Sequence, residues 1–296
     1  MYEYAGPSSA HHVGCRTALL LPLSNQEIIL KQLKLATLIA VAFASAPALA
    51  HITYTDRNFG GFSGLALQSA SITNQAVSGN FGWADATDDD FGDSHKGRSF
   101  RFNLQNEANV SILATANATA TVSSIDGLLP GFSVYSGLVH LPPAGADYDG
   151  SDVSQAYLAT LPGPTKEGVW RSLADWKVGN EDGTTFADLS TLLFQGYAVD
   201  GSAANYGTAP GIVGDGVADG SVTGAFRLAA GDYTIFLGGA DYDAQDVNNP
   251  DFSSSYGASL GLTVSAVPEP ESYALMLAGL GVVGFGRAYR QRSNQR

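Results

Sequence analysis

Between residues 51 and 267 apolar and polar side chains alternate with a period of two, and glycine, asparagine or aspartate punctuates the runs. Phe100, Phe102 and Leu104 alternate in SFRFNLQ, Val110, Ile112 and Ala114 in NVSILATA, and Tyr233, Ile235 and Leu237 in GDYTIFLGG. FSVYSG (132–137) and ASLGLTVSAV (258–267) behave alike. Successive side chains of a strand point to opposite faces, so each run buries one face against a partner layer. Helical periodicity is almost missing, and the 217 residues suffice for one domain with a full core. The expected fold is mostly β, a β-sandwich of jelly-roll type with a short helical insertion. Ala229 to Asp232 reads as the turn between paired strands. The insertion is expected to hold two helices, over 153–161 and 167–178; in the second, Val169, Leu173 and Trp176 fall at helical spacing.

Both ends carry segments that do not belong to this pattern. Lys31 and Lys34 precede the apolar stretch Leu35 to Ala50, a signal helix whose Ala48 and Ala50 supply the small residues a signal peptidase requires, so the mature chain is expected to begin at His51. Residues 1–30 lie further upstream of a signal peptide than is usual and read as a non-native extension. Cys15, the single cysteine, falls inside it, which leaves the mature form without disulfide or thiol chemistry. At the other end, the uncharged run from Ser272 to Gly286 is fifteen residues long. As a helix it reaches roughly 22 Å, short of a hydrocarbon core of about 30 Å. Glu269 and Glu271 precede it and Arg287, Arg290, Arg292 and Arg296 follow it, an asymmetry that holds the last residues on the cytoplasmic side. Pro268 and Pro270 keep the intervening chain extended and out of the helix.

Val267-Pro268-Glu269-Pro270, the short apolar helix after it and the closing arginines together resemble the PEP-CTERM sorting signal of exported bacterial proteins. The resemblance implies recognition by the membrane transpeptidase exosortase, transient membrane insertion through the C-terminal helix, and a final place at the cell surface or outside the cell. It also implies a setting of exopolysaccharide and biofilm. The expected organisation is an extension (1–30), a signal peptide (31–50), an ectodomain (51–266) and the sorting signal (267–296). The succession SFRFNLQNEANVSILAT, PGFSVYSG and LAAGDYTIFLGG is similar to secreted bacterial jelly-roll domains, which are binding or structural modules and have no catalytic residues to carry over.

Charge narrows the partners. Residues 51–267 hold 8 Lys and Arg against 24 Asp and Glu, a net of −16. Nucleic-acid binding needs clustered positive charge and is excluded as an expectation; cations are the more natural neighbours. Two segments echo each other, Gly145-Ala-Asp-Tyr-Asp-Gly-Ser-Asp-Val and Gly239-Ala-Asp-Tyr-Asp-Ala-Gln-Asp-Val, each after a β-like run. They read as equivalent loops on neighbouring strands. Asp147, Asp149 and Asp152, and likewise Asp241, Asp243 and Asp246, have the spacing to gather round calcium, which takes oxygen ligands from loops; solvated turns account for the same residues. Asp85, Asp88, Asp89, Asp90 and Asp93 form a second acidic run, read as a loop or a further calcium site.

No nucleophile elbow, phosphate-binding loop or zincin His pair is present, and the chain is not expected to be an enzyme. Two weaker enzymatic readings remain. Paired carboxylates could act on a glycosidic bond. The amine and imidazole of His51, with His95 or His140 as a third nitrogen, could chelate copper as in lytic polysaccharide monooxygenases. Trp83, Trp170 and Trp176, with Tyr148 and Tyr242, supply the aromatic faces a sugar-stacking platform would use.

Overall fold

The computed structural model describes residues 52–84, 91–140, 152–161, 168–178, 185, 187, 189–202, 211–268 and 277–280. All of these residues lie in one compact unit, Ala50–Arg296.

Two antiparallel sheets face each other. One has the order β2 (Gln68–Ser78), β12 (Ser255–Ala266), β5 (Ala108–Ala116), β10 (Ser221–Leu228). In the other, β4 (Arg98–Leu104), β11 (Gly231–Gly239), β6 (Pro130–Ser136) and β9 (Ser190–Val199) are neighbours. The second sheet is extended at one edge by β1 (Asn58–Phe62), parallel to β4, and at the other by β8 (Trp176–Val178). The alternating runs behave as their period demands. Phe100, Phe102, Leu104, Val110, Ile112, Ala114, Tyr233, Ile235 and Leu237 all enter one core between the sheets. Burial of each large apolar side chain contributes about 1.5–3 kcal/mol, and the core supplies the stability that no disulfide provides.

The links between strands differ from the sequence expectation at two points. Ala229 to Asp232 does not join paired strands: β10 and β11 lie in different sheets, so the turn crosses from one layer to the other. Strand pairing is decided by long-range registers such as Tyr233 with Phe102 and Val222 with Ala114, which a local turn signal does not encode. The second difference lies in the insertion between β6 and β9. Helix α1 (Asp152–Leu158) forms where expected, but of the second expected helix, 167–178, the described residues 168–178 are not helical. Val169–Arg171 is β7, paired with β3 (Phe91–Asp93), and Trp176–Val178 is β8, paired with β9. In these strands Val169, Trp170, Trp176 and Val178 are all buried, so tertiary burial overrides the helical spacing.

A second apolar layer explains why. The outer face of the six-stranded sheet is covered by the N-terminal segment, the loop after β2 and the insertion, whose Ile52, Tyr54, Trp83, Leu158, Trp170 and Trp176 pack on Tyr135, Leu192 and Phe236. Strand β6 is therefore buried on both faces, and its polar Ser133 is fully enclosed. Ser133 accepts from Trp83 Nε1 at 2.9 Å and donates to the Ser172 carbonyl at 2.6 Å. Thr234 on β11 is satisfied in the same way: it donates to the Gly137 carbonyl at 2.8 Å, so Tyr54 must donate to it across 2.6 Å while accepting from Val139 N–H at 3.0 Å. No comparable layer covers the four-stranded sheet among the described residues. Its outer face, with Ser69 and Thr263 on adjacent strands 3.1 Å apart, is a bare surface rich in hydroxyls.

Candidate functional site

The fold sorts the aspartates by chain direction. Strands β2, β5, β9 and β11 end, and β4, β6, β10 and β12 begin, at one end of the sandwich, as the pairings Ser255–Ser78, Ser221–Thr115, Gly131–Val199 and Gly239–Pro130 require. The loops at that end carry Asp126, Asp200, Asp215, Asp219, Asp241, Asp243, Asp246 and Asp251. The two Asp-rich echoes differ in the strand ends they follow. They follow neighbouring strands, β6 and β11, but these run antiparallel: Ser136 at the exit of β6 lies beside Tyr233 near the entry of β11, whereas Gly239 at the exit of β11 lies beside Pro130 at the entry of β6. The strands that precede the two echoes therefore exit at opposite ends of the sheet.

Within the second echo the carboxylates serve the backbone. Asp241 caps a short 3-10 turn (Tyr242–Gln245), accepting from Asp243 N–H at 3.1 Å, and Asp246 accepts from Asn248 N–H at 2.9 Å. Asn80 anchors the loop: its amide donates to the Gly127 carbonyl at 2.9 Å, its carbonyl oxygens accept from Leu129 and Asp241 N–H, each at 2.8 Å, and its amide stands 3.5 Å from the Asp241 carboxylate. Asp147 and Asp149 lie outside the described residues, and Asp152 is the exposed first residue of α1. Among the described residues no group of three or more His, Cys, Asp or Glu is placed to hold a metal ion, so calcium gains no support from this loop.

Sequence reading missed a second acidic cluster after β9. Asp200 is fully buried and accepts from the N–H groups of Asp219 at 3.1 Å and Gly220 at 2.7 Å, while Asp215 accepts from Gly201 N–H at 3.0 Å. These carboxylates tie the 200–220 connection together before β10 begins. Their spacing in DGSAANYGTAPGIVGDGVADG shows no motif, because the loop's closure, not a local pattern, brings them together.

Burial raises the Asp200 carboxyl above its usual range; hydrogen bonds from Asp219 and Gly220 partly oppose this and the neighbouring Asp215 and Asp219 charges add to it. Asp241 is raised too, again chiefly by burial. The folded protein then holds these protons more tightly than the unfolded chain. Stability falls as pH rises from the unfolded carboxylate value of about 3.9 through the raised folded values, and returns on acidification. Glu107 acts oppositely, its carboxyl lowered by hydrogen bonding to Arg227, but that pair is exposed and contributes little. Thermal melting is therefore expected to show a higher Tm near about pH 5 than near about pH 7, with a flatter profile for Asp200→Asn. A Tm that drops steadily over the same acidification, in wild type and variant alike, would contradict this account.

Trp83, Trp170 and Trp176 are 0%, 0% and 3% exposed and form no sugar-stacking surface; Tyr242 is partly exposed and Tyr148 is outside the described residues. Asp85 and Asp88 to Asp90 are likewise outside, and Asp93 is bonded to His95, Nδ1 to carboxylate 2.9 Å. His95 precedes β4 and His140 follows β6, at opposite ends of the six-stranded sheet; Ala48, Ala50 and His51 are not described.

One polar cleft stands apart from the acidic end. Strand β1 slips against β4 between Asn58 and Gly61, and Gly60, with φ of 82°, carries the bulge. A left-handed backbone of this kind suits glycine and leaves the chain bare. The resulting cleft, about 250 Å³, is lined by Asn58, Gly60, Gly61, Arg101, Phe102, Asn103, Leu138 and Asp232. Arg101 lies 5.7 Å from the Tyr54 ring centroid, and Asn103 donates to Asp232 at 2.9 Å.

Strand β12 ends at Ala266, and Val267 and Pro268 continue from it; Glu269, Pro270, Arg287, Arg290, Arg292 and Arg296 are outside the described residues. The family model of the PEP-CTERM protein-sorting motif matches residues 266–292. The chain carries a PEP-CTERM sorting signal. The signal marks the protein for exosortase and for export to the cell surface or extracellular space. Of its apolar segment residues 277–280 are described; they are helical and exposed. No helix among the described residues is long and apolar enough to cross a membrane.

No curated protein matches the chain. Among solved structures, a surface-associated copper-binding protein important in copper acquisition by Methylomicrobium album BG8, CorA, is 18% identical, with 73% of this chain and 98% of that one covered and a TM-score of 0.40. The secreted protein MopE of Methylococcus capsulatus, in which an oxidised tryptophan facilitates copper binding, is 18% identical over 71% of this chain and 87% of its own, with a TM-score of 0.41. Likeness this loose transfers no site to the PEP-CTERM chain.

Proposed function

We propose that this protein is a non-catalytic interaction module of the extracellular polysaccharide matrix, a jelly-roll domain delivered by its signal peptide and sorting signal. The PEP-CTERM motif at 266–292, beginning on the last residue of β12, carries the reading: the tail is attached directly to a sandwich whose last strand is central in its sheet. The jelly-roll assignment is supported by the strand orders β2-β12-β5-β10 and β4-β11-β6-β9, in which only the β6 to β9 link stays within one sheet. Every other link crosses between layers, the winding by which two Greek keys interlock. A binding rather than catalytic role is consistent with carboxylates that are engaged in turns and loop closure.

The test is fractionation of cells that produce the full chain together with exosortase. The processed protein is expected in the fraction released when matrix polysaccharide is extracted. Recovery entirely in the free medium, or retention by the envelope after the matrix has been stripped, would sink the reading.

A further inference from the structure

We propose that the cleft at the β1 bulge binds a neutral sugar unit of an extracellular polysaccharide, held between Arg101 and Asp232. The inference rests on the matrix-binding reading above and assigns it a site. Arg101 and Asp232 line the same cleft, yet among the described residues neither takes part in an ion pair within 4.0 Å. Among the described residues the Nε of Arg101 is the buried side-chain polar atom left without a hydrogen-bond partner. Opposite charges that share a cleft without meeting leave a space for a group that both accepts and donates, as a sugar hydroxyl does. Asn103, already oriented by its bond to Asp232, and Asn58, which accepts from Gly60 N–H at 2.9 Å, add amide groups at the rim. Leu138 supplies an apolar wall for the C–H face of a ring. The volume, about 250 Å³, lies just below the roughly 300 Å³ from which sites for drug-sized ligands begin, and suits a single ring.

Charge selects the class of sugar. A uronate-rich chain would approach a domain of net −16 and meet Asp232 in the cleft itself, whereas a neutral chain pays neither repulsion. The groove on the outer face of the four-stranded sheet, lined by Asn109, Ser111, Arg227 and Thr263, is larger, about 360 Å³, but its arginine is held by Glu107 through contacts of 2.7 and 3.2 Å. It serves as the control surface.

The experiment uses the processed protein isolated from producing cells and measures retardation by affinity electrophoresis in dextran, galactomannan and polysaccharide extracted from the cells' own matrix, with alginate as the uronate probe. At least one of the first three is expected to bind, and Arg101→Ala to weaken that binding by about tenfold or more, the scale of a lost hydrogen bond to a charged group. Gly61→Phe provides a variant that leaves Arg101 in place. A Cβ at Gly61 meets only Asn103 Oδ1, at 3.9 Å, so the ring can enter the cleft and is expected to abolish binding. Ser111→Lys, on the control surface, is expected to change nothing. If binding survives both cleft variants, the site is wrong while the matrix reading stands; if Ser111→Lys alone abolishes it, the site belongs to the other sheet. Binding to alginate only would overturn the neutral-sugar class. Binding to none of the four, together with loss of matrix retention, would remove the reading and the site together.

Discussion

Trp83→Ala is expected to lower the unfolding free energy by about 3–5 kcal/mol, the range for emptying a fully buried Trp site. The side chain is 0% exposed, its ring centroid lies 5.6 Å from that of Tyr197, and its indole N–H donates to Ser133 inside the second core. Its backbone carbonyl accepts from Ser172, so the residue ties the loop after β2 to the insertion. Gly131 lies so close beneath the indole that a Cβ there would be 2.5 Å from Trp83 Cδ2, which leaves the surrounding wall little freedom to collapse into the cavity. For a domain of this size Tm is expected to fall by roughly 2–4 °C per kcal/mol. Urea unfolding and thermal melting check the result. A loss below about 1 kcal/mol, with polysaccharide binding abolished, would return Trp83 to the role of an exposed stacking face.

Changing Pro268 and Pro270 together to alanine is expected to remove most exosortase processing and leave a full-length, membrane-retained form. Proline lacks a backbone N–H and restricts the residue before it, so Pro268 and Pro270 disfavour helix in the sequence between β12 and the apolar segment. Alanine restores the backbone N–H groups and the freedom to turn helical, so the downstream helix can grow back through the recognition sequence. The stability of the domain should be unchanged, because Pro268 is exposed and beyond the last strand. Immunoblots of membrane and extracellular fractions read the outcome. Normal processing of the double variant would mean that the apolar segment and the arginines suffice for recognition.

What was legible in the chain was whatever depends on local order. The facing of Phe100, Phe102 and Leu104, or of Tyr233, Ile235 and Leu237, follows from a two-residue period that survives in any sheet. The sorting signal was legible for a similar reason: it must be read as an extended peptide by another protein, so its information is linear. The segment 167–178 was misleading because its strands, β7 and β8, are three residues each, too short to show a two-residue period, and Val169, Leu173 and Trp176 happen to fall at helical spacing.

The candidate sites divide along the same line. The Asp-rich echoes looked equivalent because composition says nothing about strand direction; β6 and β11, the strands they follow, run antiparallel and exit at opposite ends. Arg101 carried no signal at all, since its neighbours Asn58, Leu138 and Asp232 come from three distant parts of the sequence. The sequence by itself determined the mostly β character, the acidic charge, the address and the inward-facing residues of the main core. Only the tertiary structure decided which strands pair, that the three tryptophans lie in a second core, and that Arg101 and Asp232 line one cleft. These depend on registers between residues more than a hundred positions apart, such as Asn103 with Asp232, and no local pattern encodes a long-range register.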